Sequence, residues 1–286
     1  GSEMCIRDRY YASGTNTDNA RRDIAHYTLS TTNKYVEAVW QATYQGIERA
    51  NYMIEGIQEM QGFAENEKLQ SLVAEAKFLR AFLSFNLVKY WGDVPYKTTS
   101  TGSYEEAYQP RTSREVIYDQ IVDDLDDAKE NMSWANETSS PERATQGAAR
   151  ALLMRVLLQR AGYSLQMDGT MTRPEEELRQ TYFAKVIDEW EAFQENGYHD
   201  FYEGGYEALF KSFSAGELHS KESIFEVAFY TVDGRTGARG YWGTYNGPLV
   251  AAPGIEATET DKFMGRANAL FRVCLLYTSD AADDLT

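Results

Sequence analysis

The side chains of this chain that could do chemistry are carboxylates and aromatic rings, not nucleophiles beside a base. Forty-four Asp and Glu stand against 28 Lys and Arg, and the three histidines, His26, His199 and His219, are scattered with no cysteine or carboxylate at ligand spacing. Each histidine reads as a surface or capping residue, although a near-neutral pKa leaves a ligand or base role open to it. The G-x-S-x-G elbow, the phosphate loop, H-E-x-x-H and G-x-G-x-x-G do not occur in the sequence, so neither a catalytic residue nor a cofactor nor a metal is expected. The run Asp123-Asp124-Leu125-Asp126-Asp127 has the oxygen ligands a hard cation takes. On a helix, however, these carboxylates point several ways around an apolar Leu125, and the expectation is a solvated face. A glycosidase needs two carboxylates facing across a cleft at about 5 to 9 Å. No local signature marks such a pair.

The polar aromatic loops carry more. Tyr241, Trp242, Tyr245 and Asn246 crowd one glycine-rich stretch, where flat rings cannot all enter a helix stripe. Near the start, Tyr11 and Asn16 lie in a similar segment with Tyr10, Asp18 and Asn19. Sugars offer C–H faces that stack on rings and hydroxyls that need amide or carboxylate partners, so these six residues (Tyr241, Trp242, Tyr245, Asn246, Tyr11 and Asn16) are the candidate ligand contacts. The plain alternative is that the rings pack these loops onto the body of the protein.

Helices must position them. Apolar residues at helical spacing run from Asn33 to Met60, and again from about Glu65 to Tyr90, where Trp91-Gly92-Asp93-Val94-Pro95 ends the helix through a left-handed Gly and a Pro. A tyrosine-bearing loop follows to Arg111. The third helix opens on Thr112-Ser113-Arg114-Glu115, read as a capping box, with a core stripe of Val116, Ile117, Ile121, Leu125 and Ala128. A fourth begins between Pro141 and Thr145 and ends at Gly162. The fifth runs from Pro174 to Gly197 with Leu178, Phe183, Ile187, Trp190 and Phe193 as its buried side. Ile224 to Tyr230 reads as a strand, and the Gly- and Pro-rich stretch from Asp233 to Gly254 as loop. Sliding the second helix onto the fourth matches Ala74 with Ala148, Phe78 with Leu152 and Phe82 with Val156, an offset twice a period close to the ~34 residues of tetratricopeptide units. The fold class is therefore mostly α: a tetratricopeptide-like stack of antiparallel helix pairs, with a loop-rich, partly β ligand-binding region.

A formal charge of −16 over 286 residues opposes binding to nucleic acid or to an anionic lipid surface, both of which want a basic face. With 43% hydrophobic and 25% charged residues the composition is that of a globular chain, and no apolar run reaches the ~18 residues of a membrane span. Gly1-Ser2 reads as a cloning scar. The segments Met4–Arg9 and Cys274–Thr286 fit neither neighbouring pattern and look like translated adapter sequence. Residues 1–9 and 274–286 are thus expected to be foreign tails carrying both cysteines, Cys5 and Cys274, around a single domain at 10–273. Within it a helical core is expected over about 33–213 and the loop and strand region over about 214–273.

The order of Trp40-x3-Tyr44-x2-Ile47-x2-Ala50-Asn51-x2-Ile54, Glu75-Ala76-x-Phe78-Leu79-Arg80-Ala81, Leu87-Val88-x-Tyr90-Trp91-Gly92-Asp93-Val94-Pro95, Arg143-Ala144-Thr145-x2-Ala148-Ala149 and Glu222-Ser223-Ile224-Phe225-Glu226 resembles the SusD/RagB family of outer-membrane nutrient-binding lipoproteins. The resemblance implies four tetratricopeptide-like helix pairs beneath a variable ligand-binding region. It implies a non-catalytic capture of oligosaccharide, or in some members peptide, at the outer-membrane surface. It also implies a lipid anchor and a SusC-like TonB-dependent transporter as partner. Family members are commonly far longer, so a missing C-terminal part is expected, together with a lipidation signal that Cys5 does not supply. The family's ligand residues lie in variable loops and are not transferred. The shared motifs read as scaffold, with Trp40, Phe78 and Leu79 between helices and Arg80 and Asp93 as a candidate pair at the exit turn. Two other readings stand beside glycan capture, a peptide- or protein-binding scaffold and a glycosidase.

Overall fold

The computed structural model describes residues 20, 23–24, 27–215 and 217–227. Contacts divide the chain into a unit of residues 40–228 and a second unit of 1–39 with 229–286. The first unit carries the helical body. The helices of the described residues are α1 (Lys34–Gln58), which enters this unit at Trp40, α2 (Glu67–Trp91), α3 (Arg114–Asn131), α4 (Gln146–Arg160), α5 (Glu176–Asn196) and α6 (Gly205–Ala215). The last of these was not read from the sequence. From α2 to α5 each helix packs on the next, as the mostly helical, tetratricopeptide-like reading expects.

Local chemistry sets the helix ends. Asn66 caps α2 by accepting from the Lys68 and Leu69 amides, and Thr145 caps α4 by accepting from Ala148. The start of α3 differs from the expected capping box. Ser113 is the cap and accepts from the Glu115 amide at 3.3 Å, while the Glu115 carboxylate reaches away to Arg160 at 3.0 Å. With the cap one residue later than Thr112, Glu115 sits too early in the turn to reach back. Gly92 ends α2 at φ +67°, a backbone conformation that favours glycine, with the Arg114 guanidinium lying where a Cβ would go.

Phe78, Leu87, Ile117, Ile121, Leu125, Leu153 and Leu157 form the centre of the core, with Trp40 and Trp91 packed edge to face at 5.1 Å on its margin. Ile54, Ile57, Val73 and Ala76 make a second cluster between α1 and α2. Three sequence expectations fail here. Val116 is exposed at the open first turn of α3. Leu79 lies on the outer side of α2, so of the three scaffold residues only Trp40 and Phe78 pack between helices. On α5 the expected inward residues Leu178, Ile187 and Trp190 are exposed, whereas Tyr182 and Glu189 are buried. The inward stripe is Tyr182, Val186, Glu189 and Phe193, because Glu189 must face the cations of α3 and α4. A carboxylate buried this deeply must have its cations, and this rotation of α5 brings Glu189 to both.

Irregular pieces are pinned rather than paired. Val94–Pro95 and Arg111–Thr112 form a two-residue antiparallel ladder that closes the loop between α2 and α3. Ile224–Val227, expected as the start of a strand, has no strand pairing; residues 228–230 lie outside the described residues. Phe225 stands edge-on to Phe78 at 5.0 Å, and the Glu226 amide donates to Pro141, so this stretch lies as coil on the helices.

Candidate ligand site

All six sequence-assigned ligand residues, Tyr11, Asn16, Tyr241, Trp242, Tyr245 and Asn246, lie outside the described residues, as does His26. The histidines within them serve packing: His199 stacks on Phe193 at 5.2 Å, and His219 lies 4.6 Å from Tyr202. Among the described residues no group of three or more His, Cys, Asp or Glu could hold a metal ion. No helix there is long and apolar enough to cross a membrane.

The acidic run does not form one solvated face. Asp124 is buried at 2% exposure and takes both Arg80 Nε (2.8 Å) and Arg80 Nη2 (2.6 Å), a fork-to-fork pair between α3 and α2. Asp126 binds Lys129 and Lys185, and Asp127 binds Lys77. The suggested Arg80–Asp93 pair is also absent. Arg80 is drawn inward to Asp124, and Asp93 instead accepts from the Arg114 amide and Nε, both at 3.1 Å. Burial by itself pulls the Arg80 pKa down, yet Asp124 outweighs it and the guanidinium is held more firmly charged than usual.

That buried pair shapes a cleft. Arg80 Nη1 donates to Asn51 Oδ1 and to the Thr98 carbonyl, both at 2.9 Å, and Asn51 Nδ2 donates to the Thr99 carbonyl at 3.0 Å. One stripe of α1 then holds the rest of the loop. Tyr44 donates to the Pro95 carbonyl at 2.6 Å, Glu48 accepts from the Thr101 amide at 2.6 Å, and Glu55 accepts from the Ser100 amide at 2.8 Å. The Ser100 hydroxyl and amide hold the Glu55 carboxyl below its ordinary value of 4.5. Burial pushes the Tyr44 and Tyr96 phenols up to about 12, so both remain neutral.

Between α1 and this loop lies an open cleft of about 510 Å³, floored by Tyr44, Ile47 and Tyr96. With Glu48 and Asn51 already committed to the loop, and Gln109 Nε2 donating to the Glu106 carbonyl at 2.9 Å, the polar groups its rim presents to a ligand are Gln45, Arg49 and the side-chain oxygen of Gln109. Tyr52 is 56% exposed there, and Tyr104 and Tyr108 stand together at the loop tip with their rings 5.0 Å apart. Ring faces with amide and guanidinium donors suit a hydroxylated, largely uncharged ligand, and the hydrogen bonds hold the cleft ready for it. Sequence reading took Tyr44 and Asn51 as scaffold and passed over the rest. The available signal was Tyr44, Glu48, Asn51, Tyr52 and Glu55 on one helix face, polar residues where solvent alone does not require such regular spacing.

A sequence profile for the SusD-like family, described as starch-binding and associating with the outer membrane, matches residues 5–158. A SusD-like protein of Bacteroides ovatus is 24% identical over 242 residues, which cover 82% of this chain and 43% of that protein. SusD-like protein P2 of Formosa agariphila is 30% identical over 152 residues, 51% of this chain and 28% of its own length. The crystal structure of a SusD homologue from Bacteroides thetaiotaomicron matches with a TM-score of 0.73 at 25% identity, covering 99% of this chain and 52% of that one. A laminarin-binding SusD-like protein matches at a TM-score of 0.51 and 22% identity, over 69% of this chain and 38% of its own. The chain thus spans about half the length of these relatives, or less. A profile match over more than half of the chain, on a helical body of the same fold, places this protein in the SusD-like family.

Proposed function

We propose that this chain is the N-terminal and central part of a non-catalytic surface protein that captures oligosaccharide or polysaccharide and delivers it to a SusC-like TonB-dependent transporter. The family profile over residues 5–158, whose description is starch-binding with outer-membrane association, carries this reading. The laminarin-binding relative of the same fold supports a sugar ligand. On this reading the protein is held at the outer membrane by a lipid anchor. Tyr241, Trp242, Tyr245 and Asn246, with Tyr11 and Asn16, make the principal sugar contacts. Within residues 40–228, the cleft between α1 and the 95–109 loop offers tyrosine faces and the Gln45 amide of its own.

Titration calorimetry of the 286-residue chain against laminarin and starch oligosaccharides tests the reading. Trp242→Ala is expected to weaken binding by about 1–3 kcal/mol, the scale of a desolvated aromatic anchor. A chain that binds neither glycan, and whose full-length parent copurifies with no transporter, sinks it. Release of reducing sugar from either glycan would replace it with a hydrolytic function.

A further inference from the structure

The exposed side of α5 ends in a second concavity that the proposed function does not use. Trp190, Phe193 and His199 have nearly parallel rings: Trp190 and Phe193 lie 10° apart in plane at 6.2 Å, and Phe193 and His199 lie 8° apart at 5.2 Å. Trp190 is 48% exposed and Phe201 beside it 84% exposed. These rings line a cleft of about 450 Å³ whose rim carries Gln194, Asp200, Lys221 and Glu222.

The surface is built and held. His199 Nδ1 and the Asp200 amide both meet the Lys221 carbonyl, at 3.0 and 3.2 Å, and the Tyr202 amide donates to Glu222 at 2.6 Å. Tyr198 and Ser220 share a hydroxyl contact at 2.7 Å, and Ser220 donates on to the Asn136 carbonyl. Below, His199 Nε2 is buried against Gly147, where a Cβ would come within 2.9 Å of it, so the glycine admits the ring at this depth. From beneath, Glu189 fixes α5 by binding Lys129 and Arg150, which keeps Trp190, the next residue, turned outward.

Parallel rings favour a flat partner with apolar faces. The rim supplies an amide and charges of both signs within one cleft, which opposes a ligand of strong single charge and offers donors and acceptors to hydroxyls. A pyranose has both properties. We propose that this cleft is a second oligosaccharide platform, formed by residues 190–224 and using none of the contacts assigned to Tyr241–Asn246, which takes a neutral sugar chain by stacking on Trp190, backed by Phe193, with hydrogen bonds from Gln194 and Lys221. It rests on the proposed glycan-binding function and gives a single chain a second place to take sugar.

Calorimetry of the intact chain with laminarihexaose and maltohexaose separates the two. Two binding events per chain are expected with at least one of these sugars. Trp190→Ala and Gln194→Ala each weaken one event, the first by about 10-fold or more, and leave the other unchanged. Trp242→Ala does the converse, and Trp190→Phe keeps affinity within about 3-fold of the original. Because Trp190 and Gln194 are exposed, circular dichroism melts of both variants are expected to match the parent, which keeps the binding result interpretable. A single event lost in Trp242→Ala and untouched in Trp190→Ala overturns the second platform and leaves the function standing. Both substitutions weakening one and the same event overturns it as well, merging the rings into one site. No binding of either sugar by the parent chain removes the proposed function, and this inference with it.

Discussion

Asp124 and Glu189 are both buried carboxylates on the helical body, and each stands behind one of the two clefts, but they are held in different ways. Asp124 has one cation, Arg80, in a two-bond fork, with a further amide from Gln120 at 3.0 Å. Glu189 is one link of an alternating chain, bound to Lys129 and Arg150, with Lys129 passing on to Asp126 and Asp126 to Lys185. The first arrangement fixes a loop, because the spare guanidinium nitrogen of Arg80 reaches the Thr98 carbonyl and Asn51, which in turn holds the Thr99 carbonyl. The second fixes the rotation of a helix, because Glu189 is held against Lys129 and Arg150 and Trp190, about 100° further round, is left 48% exposed. A buried charge in this protein therefore acts less as a source of stability than as an address for whatever its partner touches next, since removing two charges from water offsets much of their attraction.

The comparison can be broken by removing each carboxylate in turn. Asp124→Ala leaves Arg80 charged and buried without its fork and is expected to cost about 3–5 kcal/mol in urea unfolding, with early proteolytic cutting between residues 97 and 109. If the loop stays protected while stability falls, the pair holds helices together and does not position the cleft. Glu189→Gln is expected to cost less, about 1.5–3 kcal/mol, because Lys129 keeps Asp126 as a partner. Hydrogen exchange is expected to quicken at the C-terminal turns of α5 and in 197–204, and not in the 97–101 loop. Equal quickening in both regions would show the two clamps to be one unit.

Acid titration gives the smallest and most selective effect. Burial on its own would raise the Asp126 carboxyl, but Lys129 and Lys185 outweigh it and hold it below its ordinary 3.8, while Ser100 holds Glu55 below 4.5. Carboxyls depressed in the folded state contribute stability that is complete above their unfolded values and lost as the pH falls through their folded ones. Thermal stability is thus expected to be level from neutral pH to about 4.5 and to decline below it, with the slope reduced in Glu55→Gln. A decline that begins above pH 5.5 would assign the acid sensitivity to other groups.

Much of this was legible in the chain itself. The boundaries of α2 and α4 followed from Gly92, Pro95, Thr145 and Gly162, since punctuation by left-handed glycine, proline and capping hydroxyls acts within a few residues. The buried Phe78, Ile117, Ile121, Leu125 and Leu153 followed from helical spacing. The reading failed where a distant charge decided orientation. Asp124 lay within a run that looked solvated, and Glu189 turned α5 so that Ile187 and Trp190 came out, because each needed a cation more than 35 residues away in sequence. The two clefts were missed for the same reason: their rings and amides come from helix and loop pieces that meet only in space.

The sequence by itself determined that this is a helical, acidic chain of the SusD-like family, because periodicity, caps and an ordered motif series are local or linear properties. Only the tertiary structure decided which acids are buried, which rings face water and where the clefts open. Those outcomes depend on pairing a charge with its partner across the fold, and no spacing along one helix records the far side of such a pair.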